Sequence, residues 1–548
     1  MGVGQATAPS ADRCPDRLYQ ECFSHAVSLS TKRTLGKLRG MEPPLSARTL
    51  PALIRAGGQA WPDVEAVADG ETRLTFAGLA TAVEDFARAL VAAGVRPGDR
   101  VAIWAPNGWR WVVAAMGIVT AGAVMVPLNT RYKGAEAGYI LRRTRAVLLV
   151  TDDGFLGNGY VAMLADQELP ALSTVVTYGD WDSFVEGGRG VPVETVRERA
   201  DSVTPDDLSD IFFTSGTTGL PKGAMLTHRQ TTALYVSWSE LATVQPGDRY
   251  LLVNPFFHTF GYKAGIVACL LRGATIVPQP VFDVDTTLGL IQGERITVMP
   301  GPPTLYTSIL DHPHRTEYDL GSLRVAVTGA TTVPVVLIER LRAELALQTV
   351  VTAYGLTETC GTATMCRPDD DPVTIATTSG RAVDGVEVRV DAPTGEPGEV
   401  LVRGFNVMRG YFEDEAATKE AVDPDGWLHT GDIGVMDERG YLRITDRVKD
   451  MFIVGGFNTY PAEIEQVLAR HAAVAEVAVV GMADDRLGEV GRAFVVRRPG
   501  VEVSEAELIG YCRERLANFK VPRMVTFVEA LPRNASGKVV KATLRDTA

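Results

Sequence analysis

Thr214-Ser215-Gly216-Thr217-Thr218-Gly219-Leu220-Pro221-Lys222-Gly223 gathers four hydroxyls, three glycines and a lysine into ten residues. The apolar run Ile211-Phe212-Phe213 precedes it and reads as the end of a buried strand. Glycine lets a backbone approach an anion closely and turn its N–H groups inward. The hydroxyls add donors and the lysine adds positive charge, so the loop is suited to holding a polyphosphate. It is not a Walker A loop, because Gly223 rather than Ser or Thr follows Lys222. The plain alternative is a surface turn, but turns seldom collect so many phosphate donors directly after a buried strand.

Outward from this loop, apolar strand-like runs alternate with amphipathic helical runs. Val101–Trp104 reads as a strand, then a helix, then Ala123–Val126, then a helix ending near Arg143, then Ala146–Val150. This βαβ pattern implies a parallel sheet covered by helices on both faces. An internal echo extends it. Gly98-Asp99-Arg100 opens a strand that leads through a helix to Gly122-Ala123 and Pro127, and Gly247-Asp248-Arg249 leads likewise to Gly273-Ala274 and Pro278. Two similar α/β subdomains follow, with ligands expected at the carboxyl ends of their strands. The loop after Phe213 and the segment Asn254–Phe260 both fit that rule.

Between about residues 385 and 445, short alternating runs such as Val386–Val390 and Val400–Arg403 are separated by Gly, Pro and Asp, which reads as a small β-rich unit. After Arg447 a helix near Pro461 is followed by strands at Val477–Val480 and Ala493–Val496. Ser504 and Glu507 form a capping box for a helix running to about Leu516. The last hundred residues therefore read as a separate α+β domain, joined at Thr445–Lys449. The expected division is an extension at 1–40, an N-terminal domain at 41–446 and a C-terminal domain at 447–548.

Composition bounds the function. At roughly 150 residues per domain, 548 residues make about three or four structural units. A hydrophobic content of 46% and a charged content of 22% are globular values. The net charge of −13 argues against a nucleic-acid partner, which calls for a basic footprint. Six scattered cysteines without a CxxC pair point to a reducing cytoplasm rather than a disulfide framework. Trp111–Leu128 imitates a membrane span, yet Gly117, Thr120, Gly122 and Pro127 break it, and a buried helix followed by a buried strand explains it better. Residues 1–40 carry six basic residues against three acids and no apolar core of a secretory signal. They are either a flexible tail or a misassigned start.

Further motifs carry chemistry. In Tyr354-Gly355-Leu356-Thr357-Glu358-Thr359, Tyr354 offers a flat ring for a base, Thr357 a hydroxyl for a phosphate and Glu358 a carboxylate for Mg²⁺. His429-Thr430-Gly431-Asp432-Ile433-Gly434 offers a carboxylate that can accept two hydrogen bonds, as a ribose diol requires. Pro532-Arg533-Asn534-Ala535-Ser536-Gly537-Lys538 puts a lysine on a mobile, glycine-flanked loop able to reach an anion.

These segments, with Asp446-Arg447-Val448-Lys449-Asp450, resemble the adenylate-forming superfamily of acyl-CoA synthetases, luciferases and adenylation domains, over about residues 45 to 545. The resemblance implies a large N-terminal domain of two α/β subdomains and a β-barrel, with a small mobile C-terminal domain. It implies that Thr214, Ser215, Gly216, Thr217, Thr218, Gly219 and Lys222 enclose the ATP phosphates, and that Gly329, Ala330, Tyr354 and Gly355 border the adenine. Thr357 would touch the α-phosphate, Glu358 and Thr217 would hold Mg²⁺, and Asp432 would hold the ribose with help from Arg447. Lys538 would serve adenylation, Lys449 the hinge and Gly455-Gly456 the pantetheine tunnel of CoA. His258, in Asn254-Pro255-Phe256-Phe257-His258, would gate the acyl carboxylate without acting as a general base, since a carboxylate nucleophile needs no deprotonation.

Asn254–His258 with Gly261-Tyr262-Lys263-Ala264-Gly265, then Pro300–Thr304, Thr364–Pro368 and Val454–Asn458, look like actinobacterial synthetases of steroid degradation, which activate a bicyclic indane-dione propanoate. Related sequences serve biosynthetic clusters and activate other acids or nitrite. The expected activity is therefore an AMP-forming acid:CoA ligase for a compact hydrophobic acid, steroid-derived or fatty. The competing reading is an adenylating enzyme whose acceptor is a carrier protein, an amine or a diazotisation substrate. A non-catalytic binding protein is disfavoured by the intact Lys222, Glu358, Asp432 and Lys538.

Overall fold

The computed structural model describes residues 47–546 except 215–219, 330–332, 334, 397, 448–451, 460, 533–538 and 540. Among these the strands form four sheets. The first runs, in spatial order, Gly410–Tyr411, Lys222–Thr227, Leu208–Thr214, Val124–Pro127, Arg100–Trp104, Leu148–Thr151 and Thr174–Thr177. Its last five strands are parallel. The second sheet has nine strands, with a parallel centre of Thr349–Tyr354, Val325–Gly329, Val298–Pro300, Arg249–Leu252, Thr275–Pro278 and Glu65–Asp69. One continuous apolar core joins both sheets, and a smaller one around Trp104, Val126, Ile140 and Tyr160 covers the other face of the first sheet.

The sequence echo is a repeated piece of turn chemistry. Gly98 and Gly247 both adopt φ 81°, and Gly122 and Gly273 adopt 78° and 69°, backbone that favours glycine. Gly98 N–H donates to the Gly122 carbonyl at 2.8 Å, and Gly247 N–H to the Gly273 carbonyl at 3.2 Å. Asp99 and Asp248 each accept the N–H three residues before them, at 2.8 Å in both cases. Each motif thus closes the turn into a strand and ties it to the start of the next parallel strand. The membrane-like stretch runs through the second glycine of the first copy: it is the buried helix Trp109–Thr120, before Gly122, and the buried strand Val124–Pro127, after it. No helix among the described residues is long and apolar enough to cross a membrane.

Val386–Val390, Gly398–Gly404, Leu428–Met436 and Leu442–Arg447 form the third sheet, fully antiparallel, where the alternating runs placed β-structure. From Phe452 onward a fourth sheet carries its own apolar core, centred on Ile464, Leu468, Val479 and Val495. The strands here are longer than their apolar runs, at Val474–Asp484 and Gly488–Arg497. A long antiparallel ladder between them holds the polar ends that alternation alone does not mark. The final capping box forms by half. Ser504 Oγ accepts the Glu507 N–H at 3.2 Å, while the Glu507 carboxylate turns to His471 Nε2 at 3.8 Å. The helix then stops at Arg513, a turn short of Leu516.

Candidate active site

The strand Leu208–Thr214 ends at Thr214, which faces Lys222 across an antiparallel ladder. The phosphate-loop candidate is thus the connection of a hairpin, with Thr214 and Lys222 at its two feet. Ser215, Gly216, Thr217, Thr218 and Gly219 lie outside the described residues, as do Ala330, Lys449 and Lys538.

Thr214 Oγ1 donates to Glu358 Oε1 at 3.0 Å, across 144 residues of chain. The hydroxyl of Tyr411 donates to the same oxygen at 2.9 Å, and the Lys222 ammonium stands 5.3 Å from the Tyr411 ring centre. Glu358 sits in the short turn Thr357–Thr359 after the strand Thr349–Tyr354. Met408 N–H donates to the Glu358 carbonyl at 2.7 Å, and Asn406 Nδ2 to the Thr362 carbonyl at 2.9 Å, so the segment 406–411 braces this turn. Gly355 fits because a Cβ there would lie 2.5 Å from the Gly361 carbonyl oxygen and the Thr362 Cα.

A second juxtaposition lies alongside. Tyr354 OH donates to Asp432 Oδ2 at 2.7 Å, and Asp432 is 2% exposed. Asp432 pairs with Arg447 in the antiparallel ladder, which puts both residues of the expected ribose site side by side. Gly329 ends its strand opposite Ala353, one residue before Tyr354, and a Cβ on it would come 3.0 Å from the Ala353 carbonyl oxygen.

His258 begins a short helical turn, and its Nδ1 accepts the Phe260 N–H at 3.2 Å. Solvent reaches the imidazole, yet protein atoms surround it densely enough to push its pKa down to about 4. The imidazole is therefore neutral at pH 7. Asn107, three residues beyond the strand Arg100–Trp104, braces the segment that carries His258. Its Nδ2 donates to the carbonyls of Leu252 and Asn254, and its Oδ1 accepts the Phe256 N–H at 2.8 Å.

Gly455 and Gly456 form the two-residue turn between Phe452–Val454 and Phe457–Thr459, at φ 56° and 85°. Two left-handed residues are what such a hairpin turn requires. Turn geometry thus gives both glycines a backbone role, beside the close passage of a chain that the sequence argued.

Tyr411, Asn406 and Asn107 touch or brace the candidate site, and sequence reasoning missed them. The only local signal was the turn-like Arg409-Gly410-Tyr411; no spacing rule links it to Glu358.

Residues 54–412 match the family model described as AMP-binding enzyme, and residues 463–538 match that of the AMP-binding enzyme C-terminal domain. The chain belongs to the AMP-binding enzyme family. It is an acid–thiol ligase, which activates a carboxylic acid with ATP and passes the acyl group to CoA. The chain is 53% identical over 511 residues to a ligase of Rhodococcus jostii (strain RHA1), covering 91% of this chain and 98% of that protein. It is 55% identical over 505 residues to one of Mycobacterium tuberculosis, covering 91% and 99%. Both are named for the CoA ligation of a methyl-dioxo-octahydroindenyl propanoate. Among solved structures, the o-succinylbenzoate CoA synthetase of Bacillus subtilis superposes with a TM-score of 0.78 at 30% identity, covering 90% of this chain and 98% of that one.

Proposed function

We propose that this ligase activates the bicyclic indane-dione propanoate for which its two relatives of 53% and 55% identity are named, with residues 41–446 carrying the adenylation chemistry. The observation that supports the site is the meeting of Thr214, Glu358 and Tyr411 beside the Tyr354–Asp432 pair: Thr214 and Glu358 stand at the carboxyl ends of strands with parallel neighbours, and Tyr411 and Asp432 come to them from antiparallel strands.

The roles follow from chemistry. Thr214, Lys222 and the intervening loop hold the phosphates of ATP, and Tyr354 and Asp432 border the adenosine. Glu358 fits a magnesium ion, since its carboxylate stands 3.0 Å from the Thr214 hydroxyl, at the foot of the phosphate-loop candidate. One carboxylate beside a phosphate site is the usual protein share for Mg²⁺. When bound, the ion would neutralise phosphate charge. The substrate carboxylate attacks the α-phosphorus and pyrophosphate leaves, and Lys222 and Lys538 offset the repulsion between the two anions. His258 stays neutral, so it leaves the incoming carboxylate without a competing ion pair and lines its path. The acyl-adenylate then gives its acyl group to the CoA thiol, with residues 447–548 turning about Lys449 between the steps.

Acid-dependent pyrophosphate release and acyl-CoA mass should be measured with the indane-dione propanoate, palmitate, benzoate and a hydroxycinnamate. The bicyclic acid should show the highest kcat/KM, the ratio that reports differential transition-state binding. A win for palmitate overturns the substrate, and a requirement for nitrite overturns the ligase reading.

A further inference from the structure

Lys263 is fully buried, in the π-helical stretch Tyr262–Val267 that begins four residues after His258. Its Nζ lies 2.8 Å from Thr231 Oγ1, 3.0 Å from Asp210 Oδ1 and 3.4 Å from Cys360 Sγ. Asp210 is equally inaccessible, and its other oxygen accepts the Ser209 hydroxyl at 2.7 Å. Isolated π-turns widen a helix locally and gather at functional sites. Here the wider turn points an ammonium into the protein rather than toward solvent.

Asp210 stands four residues before Thr214, on the strand that delivers Thr214 to the site. Cys360 stands two residues after Glu358 and closes the turn that carries it. Cys360 adopts φ 58°, an unusual backbone for a non-glycine residue, with its carbonyl accepting Tyr235 OH at 2.9 Å. Thr214 Oγ1 closes the ring on Glu358 Oε1 at 3.0 Å. A circuit therefore runs from Lys263 to Asp210, along the strand to Thr214, across to Glu358, along the turn to Cys360 and back to Lys263. Stability alone does not call for it, because apolar residues of similar volume commonly replace a buried ion pair without loss.

We infer that Lys263 is a positioning residue: its buried ammonium sets the distance between the strand bearing Thr214 and the turn bearing Glu358, and so shapes the nucleotide side of the site. The inference rests on the adenylation reading above. The step it serves is unchanged in its bonds, since Lys263 touches no reacting atom.

The test compares wild type, Lys263→Met and the doubly neutral Asp210→Asn/Lys263→Met. Three readouts apply: melting temperature, binding of a non-hydrolysable ATP analogue with and without Mg²⁺, and kcat and KM for acid-dependent pyrophosphate release. The double variant removes both buried charges and is expected to melt within a few degrees of wild type. Its kcat should still fall about tenfold or more, as small misplacements at a reacting centre do. Its KM for the acid should hold, and Mg²⁺ should strengthen its ATP-analogue binding less than in wild type. A double variant with wild-type stability, kcat and Mg²⁺-dependent binding overturns the inference. One that fails to fold also overturns it, because the charges would then serve stability. A wild type that binds Mg·ATP but releases no pyrophosphate with any acid breaks the functional reading, and the binding comparison still decides the role of Lys263. A wild type that binds no ATP overturns both.

Discussion

Two buried lysines solve different problems in this molecule. Lys263 meets Asp210, Thr231 and Cys360 inside one continuous core. Lys520, 3% exposed, joins residues whose neighbours belong to different cores. Its Nζ lies 2.9 Å from Glu136, on the helix Gly134–Thr144, and 2.6 Å from Glu463, on the helix Pro461–Ala469. Burial works to lower the Lys520 pKa, but the two carboxylates overcome it and raise the value above the ordinary lysine range. Burial also raises the Glu136 pKa, against the pull of Lys520. Nearby, the Arg131 guanidinium covers the Phe457 ring at 4.1 Å, and Phe457 stacks on Phe519 at 4.8 Å. The same ammonium–carboxylate chemistry thus fixes a distance within one core at Lys263, and at Lys520 clasps the Gly455-Gly456 hairpin region to the helix Gly134–Thr144, whose apolar residues belong to another core. On the turning of residues 447–548 proposed above, the clasp opens between the two steps while the brace within one core stays closed.

The largest expected effect breaks the clasp. Lys520→Met leaves two buried carboxylates facing each other and should cost about 3–5 kcal/mol of stability, read by denaturant unfolding. With Glu136→Gln added, part of that loss should return. Acid-dependent pyrophosphate release should survive in the double variant while thioester formation from a supplied acyl-adenylate falls. Equal loss in both half-reactions would erase the contrast between clasp and brace.

Next comes the carboxylate that the Lys263 circuit serves. Glu358→Gln keeps the size and removes the charge that Thr214 and Tyr411 orient. Adenylation should slow about a hundredfold with the circular dichroism spectrum unchanged. Turnover near that of wild type at limiting Mg²⁺ would remove Glu358 from the centre of the site.

His228 sharpens the comparison as a buried base that stays neutral. It is 1% exposed, its Nδ1 accepts the Leu50 N–H at 3.2 Å, and burial lowers its pKa to about 3. The unfolded chain takes up this proton near pH 6.5 and the folded chain does not until about pH 3. Stability should therefore be intact above about pH 6.5 and fall, by a few kcal/mol in all, as pH drops toward 3. A His228→Gln variant should lose that part of the slope between pH 6 and 4. The smallest effect belongs to the exposed Lys419–Glu415 pair, at 2.7 Å on a surface helix. Lys419→Ala should leave the melting temperature unchanged within error, as lone surface pairs do.

How much of this was legible depended on the range of the interaction. Gly98, Gly122, Gly247 and Gly273 announced two related α/β halves because their turns close within one strand–helix–strand unit. Thr214, Lys222, Tyr354 and Asp432 were legible for a similar reason, since each ends or lines a strand that its own neighbours mark. Glu358 was legible as a carboxylate but not as the partner of Tyr411, 53 residues on. Gly455-Gly456 was legible as special, and the structure adds a backbone requirement of its own, the left-handed hairpin turn.

Local composition and periodicity by themselves determined the α/β class, the repeated halves, the hairpin-rich middle, the change of character after Arg447 and the residue types of the candidate site. Those features rest on backbone preferences and apolar spacing that act over a few residues. Only the tertiary structure decided that Thr214 and Tyr411 converge on Glu358, that Asn107 ties the segment carrying His258, and that Lys263 and Lys520 bury their charges against Asp210 and against Glu136 and Glu463. A charged side chain looks like a solvated one in sequence. Its partner is chosen by how the sheets and helices pack, and that packing brings together residues as far apart as Glu136 and Lys520.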